Sequence, residues 1–127
     1  MPRILLVEDD PDVRLTIEEI LLDAEHEVDV AETIKGGLEL LSRHDYDLVL
    51  SDGLLPDGTG MIIADKASEK GTPTLIITGY AYNLRAGALP GVSLSIDLSR
   101  YDVLEKPLSP TQLILAISER LRPRAAG

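Results

Sequence analysis

Short apolar segments alternate with longer segments of helical periodicity, and this alternation occurs five times along the chain. A continuous apolar run such as residues 4–7 is typical of a buried parallel strand, whereas apolar residues three and four positions apart indicate an amphipathic helix. The predicted strands lie at about residues 3–8, 26–31, 46–51, 72–77 and 101–105. This pattern predicts an α/β fold, a flavodoxin-like (βα)5 doubly wound parallel sheet with strand order 2-1-3-4-5.

Local signals predict where the helices begin and end. Three helix starts share a capping Ser, Thr or Asp, and these caps are Asp10, Thr33 and Ser109. A Gly36-Gly37 pair would weaken the second helix, and Gly71 should end the third. Between the last two strands, residues 81–98 lack a helical period and contain glycine and proline. A short or irregular helix is therefore predicted there.

Composition narrows the class of protein. The chain has 127 residues, 44% of them hydrophobic, which predicts one domain over residues 1–122 with a flexible tail at 123–127. A net charge of -10 argues against nucleic acid as a partner, because that binding depends on Lys and Arg. The chain has no cysteine and no apolar run of roughly 18 residues, so we expect a cytoplasmic domain without membrane contact.

Polar residues follow several of the predicted strands at the point where each strand ends. They are Glu8, Asp9, Asp52, Thr78 and Lys106. Because ligands bind outside the carboxyl ends of parallel strands, these side chains should converge on one site.

The chemistry of this site follows from its charges. Three carboxylates in one cleft repel one another, and Mg²⁺ is the hard cation that oxygen ligands favour. The positive charges of one Mg²⁺ and of the Lys106 ammonium group would together balance the negative charges of the three carboxylates. An aspartate held in this way can accept a phosphoryl group as an aspartyl-phosphate.

The motifs around these residues resemble the receiver domain of two-component response regulators. They are Val7-Glu8-Asp9-Asp10-Pro11, Asp47-Leu48-Val49-Leu50-Ser51-Asp52, Leu55-Pro56-Asp57-Gly58-Thr59-Gly60, Ile77-Thr78-Gly79 and Lys106-Pro107. The resemblance covers nearly the whole chain and is closest to single-domain, chemotaxis-type receivers.

The resemblance implies a role for each site residue. Asp52 would accept the phosphoryl group from a phosphohistidine of a sensor histidine kinase or a histidine phosphotransfer domain. Glu8 and Asp9 would bind Mg²⁺ together with Asp52 and the backbone carbonyl of Leu54. The hydroxyl of Thr78 and the ammonium of Lys106 would contact the phosphoryl group. The signal would pass to a downstream protein by direct contact, with the chain a monomer or a weak dimer.

Two departures from the family pattern concern how the signal is transmitted. Val103 stands where the family usually has Tyr or Phe, and Thr78 and Lys106 are 28 positions apart, several more than is usual. The hypothesis is that output depends on reordering of residues 79–99, with Tyr80 or Tyr101 replacing the missing aromatic side chain.

Two alternative functions remain open from the sequence. One is a Mg²⁺-dependent phosphatase that forms an aspartyl-phosphate, although Gly53-Leu54 follows Asp52 where such enzymes have a second aspartate. The other is an interaction module that is never phosphorylated. The preferred interpretation is a signalling domain rather than an enzyme. Bulky Leu54 and Tyr80 beside the site predict slow self-dephosphorylation.

Overall fold

Five parallel strands form the central sheet of the computed structural model, which describes residues 2–78, 102–105 and 109–121. The described strands are β1 (Arg3–Val7), β2 (Glu27–Ala31), β3 (Leu48–Asp52), β4 (Leu54–Leu55), β5 (Gly58–Thr59), β6 (Thr74–Thr78) and β7 (Asp102–Glu105). The described helices are α1 (Pro11–Asp23), α2 (Ile34–Arg43), α3 (Met61–Glu69) and α4 (Pro110–Arg120).

The strand order of the central sheet is β2-β1-β3-β6-β7, and every neighbouring pair is parallel. Since β4 and β5 form a separate antiparallel ribbon, this is the predicted order 2-1-3-4-5, and the flavodoxin-like fold is confirmed. The strand ends differ from the predicted ones by one or two residues. β3 begins at Leu48 and ends at Asp52, so Asp52 is the last residue of this strand.

Aliphatic side chains fill two layers of core, one on each face of the sheet. On one face, strand residues such as Ile4 and Leu50 pack with Leu21 of α1 and Ile117 of α4. On the other face, the alternate strand residues pack with α2 and α3. Because β1 and β3 are covered on both faces, residues 4–7 and 48–50 within them are continuously apolar, as the prediction assumed.

The predicted helix starts are confirmed. Asp10 caps α1 by accepting hydrogen bonds from the N–H groups of Asp12 and Val13, at 2.9 and 3.3 Å. Ser109 forms a capping box with Gln112 at the start of α4. Gly71 follows α3 with φ of +74°, a conformation that suits glycine. The irregular helix predicted between the last two strands lies outside the described residues.

The segment that follows Asp52 contains a short antiparallel ribbon. Leu54 lies opposite Thr59 in this ribbon, and the chain turns at residues 56–57. Leu55 is buried at 8% exposure and anchors the ribbon in the core. Strands of two residues are too short to produce an alternating pattern, so the sequence gives no sign of them.

Asp57, at the tip of this ribbon, completes the N-terminal cap of α2. Its Oδ1 and Oδ2 accept hydrogen bonds from the N–H groups of Ile34 and Lys35, at 2.8 and 3.0 Å. Thr33 is the predicted cap, and its Oγ1 accepts the N–H of Gly36 at 3.0 Å. The first three N–H groups of α2 are therefore all paired, two of them by a residue more than twenty positions away.

Lys70 contributes the corresponding contact at the other end of α2. Its Nζ donates hydrogen bonds to the backbone carbonyls of Leu41 and His44. The helix thus has a carboxylate at its N-terminus and an ammonium group at its C-terminus, the arrangement that the helix dipole favours.

Gly37 explains why α2 carries a glycine pair despite its low helix propensity. A Cβ atom at Gly37 would lie 2.8 Å from Cδ1 of Ile63 and 3.0 Å from Cγ2 of Val7. The absence of a side chain lets α2 approach both β1 and α3. The glycine therefore contributes through tertiary packing, at a cost in helix propensity of about 0.5–1 kcal/mol.

Gly37→Ala should lower the free energy of unfolding by about 1–3 kcal/mol, because overpacking outweighs the gain in helix propensity. Chemical denaturation will measure it. In the Gly37→Ala background, Ile63→Val removes the contacting Cδ1 and should be less destabilising than in the wild type. A Gly37→Ala variant as stable as the wild type would contradict this account of the packing.

Asp57→Asn should lower stability at neutral pH, and the difference should fade in acid. The N–H groups of Ile34 and Lys35 hold the pKa of Asp57 below its ordinary value. Because the folded-state pKa is depressed, the stabilisation is present above the unfolded pKa of about 4 and is lost as pH falls through the folded pKa. Denaturation midpoints of both proteins across this range test it, and a difference independent of pH would count against the cap.

Candidate functional site

Three carboxylates meet at the carboxyl edge of the central sheet. One side-chain oxygen from each of Glu8, Asp9 and Asp52 lies within 4.8 Å of the other two. The register of the sheet brings them together, because Val7 at the end of β1 pairs with Ser51 in β3. The residues that follow this pair, Glu8 and Asp52, are therefore neighbours across the sheet.

The two adjacent acids of this cluster differ sharply in burial. Glu8 is 2% exposed, whereas Asp9 is open to solvent. The N–H of Glu8 donates to the carbonyl of Ala31 at 2.9 Å, which extends the β1–β2 pairing by one hydrogen bond. The N–H of Asp9 donates to Oε2 of Glu8 at 3.1 Å. Glu8 thus lies at the buried base of the site, and Asp9 lies at its solvent-exposed edge.

Asp52 is half-buried and occupies a crowded backbone environment. Its Oδ1 accepts a hydrogen bond from the N–H of Leu54 at 3.4 Å, and its backbone carbonyl accepts one from Oγ of Ser51 at 3.0 Å. A Cβ atom at Gly60 would lie 2.1 Å from that carbonyl oxygen. Only glycine therefore allows the start of α3 to approach Asp52 so closely.

Leu54 begins the ribbon two residues beyond Asp52. It pairs with Thr59, and the N–H of Gly60 donates to the carbonyl of Gly53 at 3.1 Å. These two contacts restrain the backbone at Leu54 and at the residue before it. The sequence suggested Leu54 as a source of a carbonyl ligand, and that assignment stays a prediction.

A basic side chain that the sequence analysis did not single out lies behind the acidic cluster. Nη1 of Arg14 lies 3.5 Å from the backbone carbonyl of Glu8, to which it donates a hydrogen bond, and 3.2 Å from Oε1 of Glu32. The side chain of Arg14 is 18% exposed, so its positive charge is weakly screened. The available signal was an arginine in the first turn of α1, six residues after Glu8.

The donor set fits a hard divalent cation. Two charges about 4 Å apart repel by roughly 4 kcal/mol at an effective dielectric constant of about 20. Octahedral Mg²⁺ holds its oxygen ligands about 3–4 Å apart, given bond lengths near 2.1 Å. One oxygen from each of Glu8, Asp9 and Asp52 lies within 4.8 Å of the other two, so small side-chain rotations would bring them to these spacings. A cation here would replace mutual repulsion by attraction.

The remaining predicted site residues are placed in part. Thr78 ends β6, the strand next to β3, and pairs with Glu105 in β7. Lys106, the next residue in sequence, lies outside the described residues, as do Tyr80 and Tyr101. Val103 lies half-buried in β7. Among the described residues, no helix has the length and apolar character needed to span a membrane.

Comparison with known sequences gives a consistent family. Residues 4–118 match the profile of the response regulator receiver domain. The chain is 31% identical over 122 residues to the response regulator protein PilR of Pseudomonas aeruginosa, covering 94% of this chain and 26% of PilR. It is 34% identical over 125 residues to the transcriptional regulatory protein DltR of Streptococcus agalactiae, covering 98% of this chain and 53% of DltR. The chain thus spans a quarter to a half of these relatives.

Solved structures agree. The response regulator TrrA of Thermotoga maritima, crystallised with Mg²⁺ and BeF, superposes with a TM-score of 0.79 at 26% identity, covering 95% of this chain and all of TrrA. A CheY-like receiver domain protein from Methanospirillum hungatei superposes with a TM-score of 0.76 at 30% identity, covering 95% of this chain and 94% of that one. Because residues 4–118 match the family profile and the fold matches these solved structures, the chain belongs to the response regulator receiver domain family of two-component systems.

Proposed function

We propose that the chain accepts a phosphoryl group on Asp52 from a phosphohistidine and passes the signal on by protein contact. The observation that carries this proposal is the convergence of Glu8, Asp9 and Asp52 at one edge of the sheet. The donor would be a sensor histidine kinase or a histidine phosphotransfer domain, the sources typical of the family. The receiver family supports a signalling role rather than a metabolic enzyme.

The side chains of Glu8, Asp9 and Asp52 and the carbonyl of Leu54 would hold Mg²⁺. Once bound, this cation would neutralise charge on the phosphoryl oxygens. The buried carboxylate of Glu8 sets the depth of the site, and the exposed carboxylate of Asp9 faces the solvent from which the donor arrives. The presence of Mg²⁺ with BeF in TrrA supports this assignment.

Asp52 supplies the nucleophile. One of its carboxylate oxygens attacks phosphorus and forms the new P–O bond, while the P–N bond of the phosphohistidine breaks and its electron pair returns to the imidazole. The hydrogen bond from the N–H of Leu54 to Oδ1 orients the carboxylate for this attack. We assign the hydroxyl of Thr78 and the ammonium of Lys106 to the phosphoryl oxygens on the family pattern.

A phosphatase remains the alternative from a different functional class. Phosphatases that form an aspartyl-phosphate use a second carboxylate as general acid and base. Gly53 and Leu54 follow Asp52 in this chain, so neither neighbour could protonate a leaving group. The bulk of Leu54, with that of Tyr80, favours slow self-dephosphorylation instead.

Asp52→Asn should abolish labelling by a small phosphoramidate donor in the presence of Mg²⁺, because the amide is a poor nucleophile. Radiolabel incorporation into the intact protein measures it. Asp45→Asn is the matched control, since the side chain of Asp45 is 94% exposed and precedes β3, at the opposite end of that strand from Asp52, and it should label like the wild type. Label retained by Asp52→Asn would refute the assignment of the phosphoacceptor.

Amide hydrogen exchange should change in residues 79–101 when beryllofluoride and Mg²⁺ are added. The reason is that Val103 cannot act as an aromatic switch, so output must use other residues, with Tyr80 or Tyr101 as candidates. The amides of β1 serve as the internal control, because this strand is buried on both faces. An unchanged exchange pattern in residues 79–101 would remove the basis for this route of output.

A further inference from the structure

Side-chain contacts connect the residues at the start of α2 to the backbone on both sides of the acidic cluster. On one side, Arg14 joins the backbone of Glu8 to the side chain of Glu32, two residues before α2. On the other side, Asp57, in the ribbon that follows Asp52, accepts hydrogen bonds from the first turn of α2. The segment at residues 32–35 thus contacts the chain next to two of the three carboxylates.

Asp57 is connected to the site by the short, paired backbone of the β4–β5 ribbon. Asp57 lies three residues beyond Leu54, within a ribbon whose two strands pair at Leu54 and at Leu55. Leu55 is buried, and a Cβ atom at Gly58 would lie 3.5 Å from Cδ1 of Ile34 and 3.3 Å from Cδ1 of Ile62, so the ribbon lies close to both helices. A displacement of Asp57 from α2 would therefore be transmitted to the backbone at Leu54.

We propose that Asp57 is a positioning residue for the metal and phosphoryl site, acting by holding the Leu54 backbone at a fixed place relative to Glu8 and Asp9. This inference rests on the proposed function, because it concerns how the assigned ligands are held. Asp57 does not touch the reacting atoms; it acts through the ribbon.

The simpler explanation is that Asp57 stabilises α2 and nothing more. Thr33 separates the two roles, because it caps the same turn of the same helix through Gly36 and makes no hydrogen bond to the ribbon. Loss of either cap should lower stability by a comparable amount. Only the loss of Asp57, and not the loss of Thr33, should alter the geometry of the metal and phosphoryl site.

The experiment compares Asp57→Ala with Thr33→Ala in the full chain. Calorimetric titration with Mg²⁺ alone should show an affinity reduced about 10–100-fold in Asp57→Ala, the range typical of residues that orient metal ligands. Thr33→Ala should bind Mg²⁺ within about twofold of the wild type. Asp57→Asn keeps one acceptor oxygen for α2 and should recover part of the loss.

Amide exchange of the metal-free variants gives a second readout that does not need Mg²⁺. The N–H of Gly60, which donates to the carbonyl of Gly53, should exchange faster in Asp57→Ala than in Thr33→Ala. Equal Mg²⁺ affinity in Asp57→Ala and wild type, or an equal loss in both alanine variants, would overturn the positioning role. Absence of Mg²⁺ binding by the wild type would contradict the proposed function. If, in addition, the N–H of Gly60 exchanged equally fast in the two alanine variants, the role of Asp57 in holding the ribbon would also be rejected.

Discussion

Repulsion among three carboxylates at one edge of the sheet is the constraint on which the rest of the structure depends. The register of β1 against β3 brings Glu8 beside Asp52, and Asp9 is the next residue. Flexible loops would let these groups separate and lower their energy. The two strands behind them are buried on both faces and cannot move apart without exposing the core. The sheet therefore holds the three carboxylates together, and a divalent cation bound among them would relieve their repulsion.

Contacts from a few surrounding residues hold the backbone that carries the three carboxylates. Gly60 allows α3 to begin directly against the backbone of Asp52. Arg14 places a positive charge at the backbone carbonyl of Glu8. Both contacts act on the backbone beside the acidic cluster.

Much of the fold and part of the site could be predicted from the sequence. Strand ends can be recognised as the last residues of apolar runs, and this pattern predicted that Glu8, Asp9 and Asp52 lie close together. The role of Asp57 could not be predicted, because its partners lie more than twenty residues away and the ribbon that presents it is only two residues long on each side. Gly37 looked like a weakness in α2 because its benefit depends on Ile63 and Val7, contacts that no local pattern records. The fold thus follows from periodicity, and the missed features are contacts between distant residues.

The dependence of α2 on later parts of the chain has a consequence for the order of folding. Its glycine pair disfavours an autonomous helix, and both of its ends are paired by side chains at positions 57 and 70. Its middle packs against Ile63, in α3. The hydrogen bonds at both ends of α2 therefore form only when the chain has folded back through α3. The helix depends on tertiary structure, and a peptide of residues 34–43 alone would not form a stable helix.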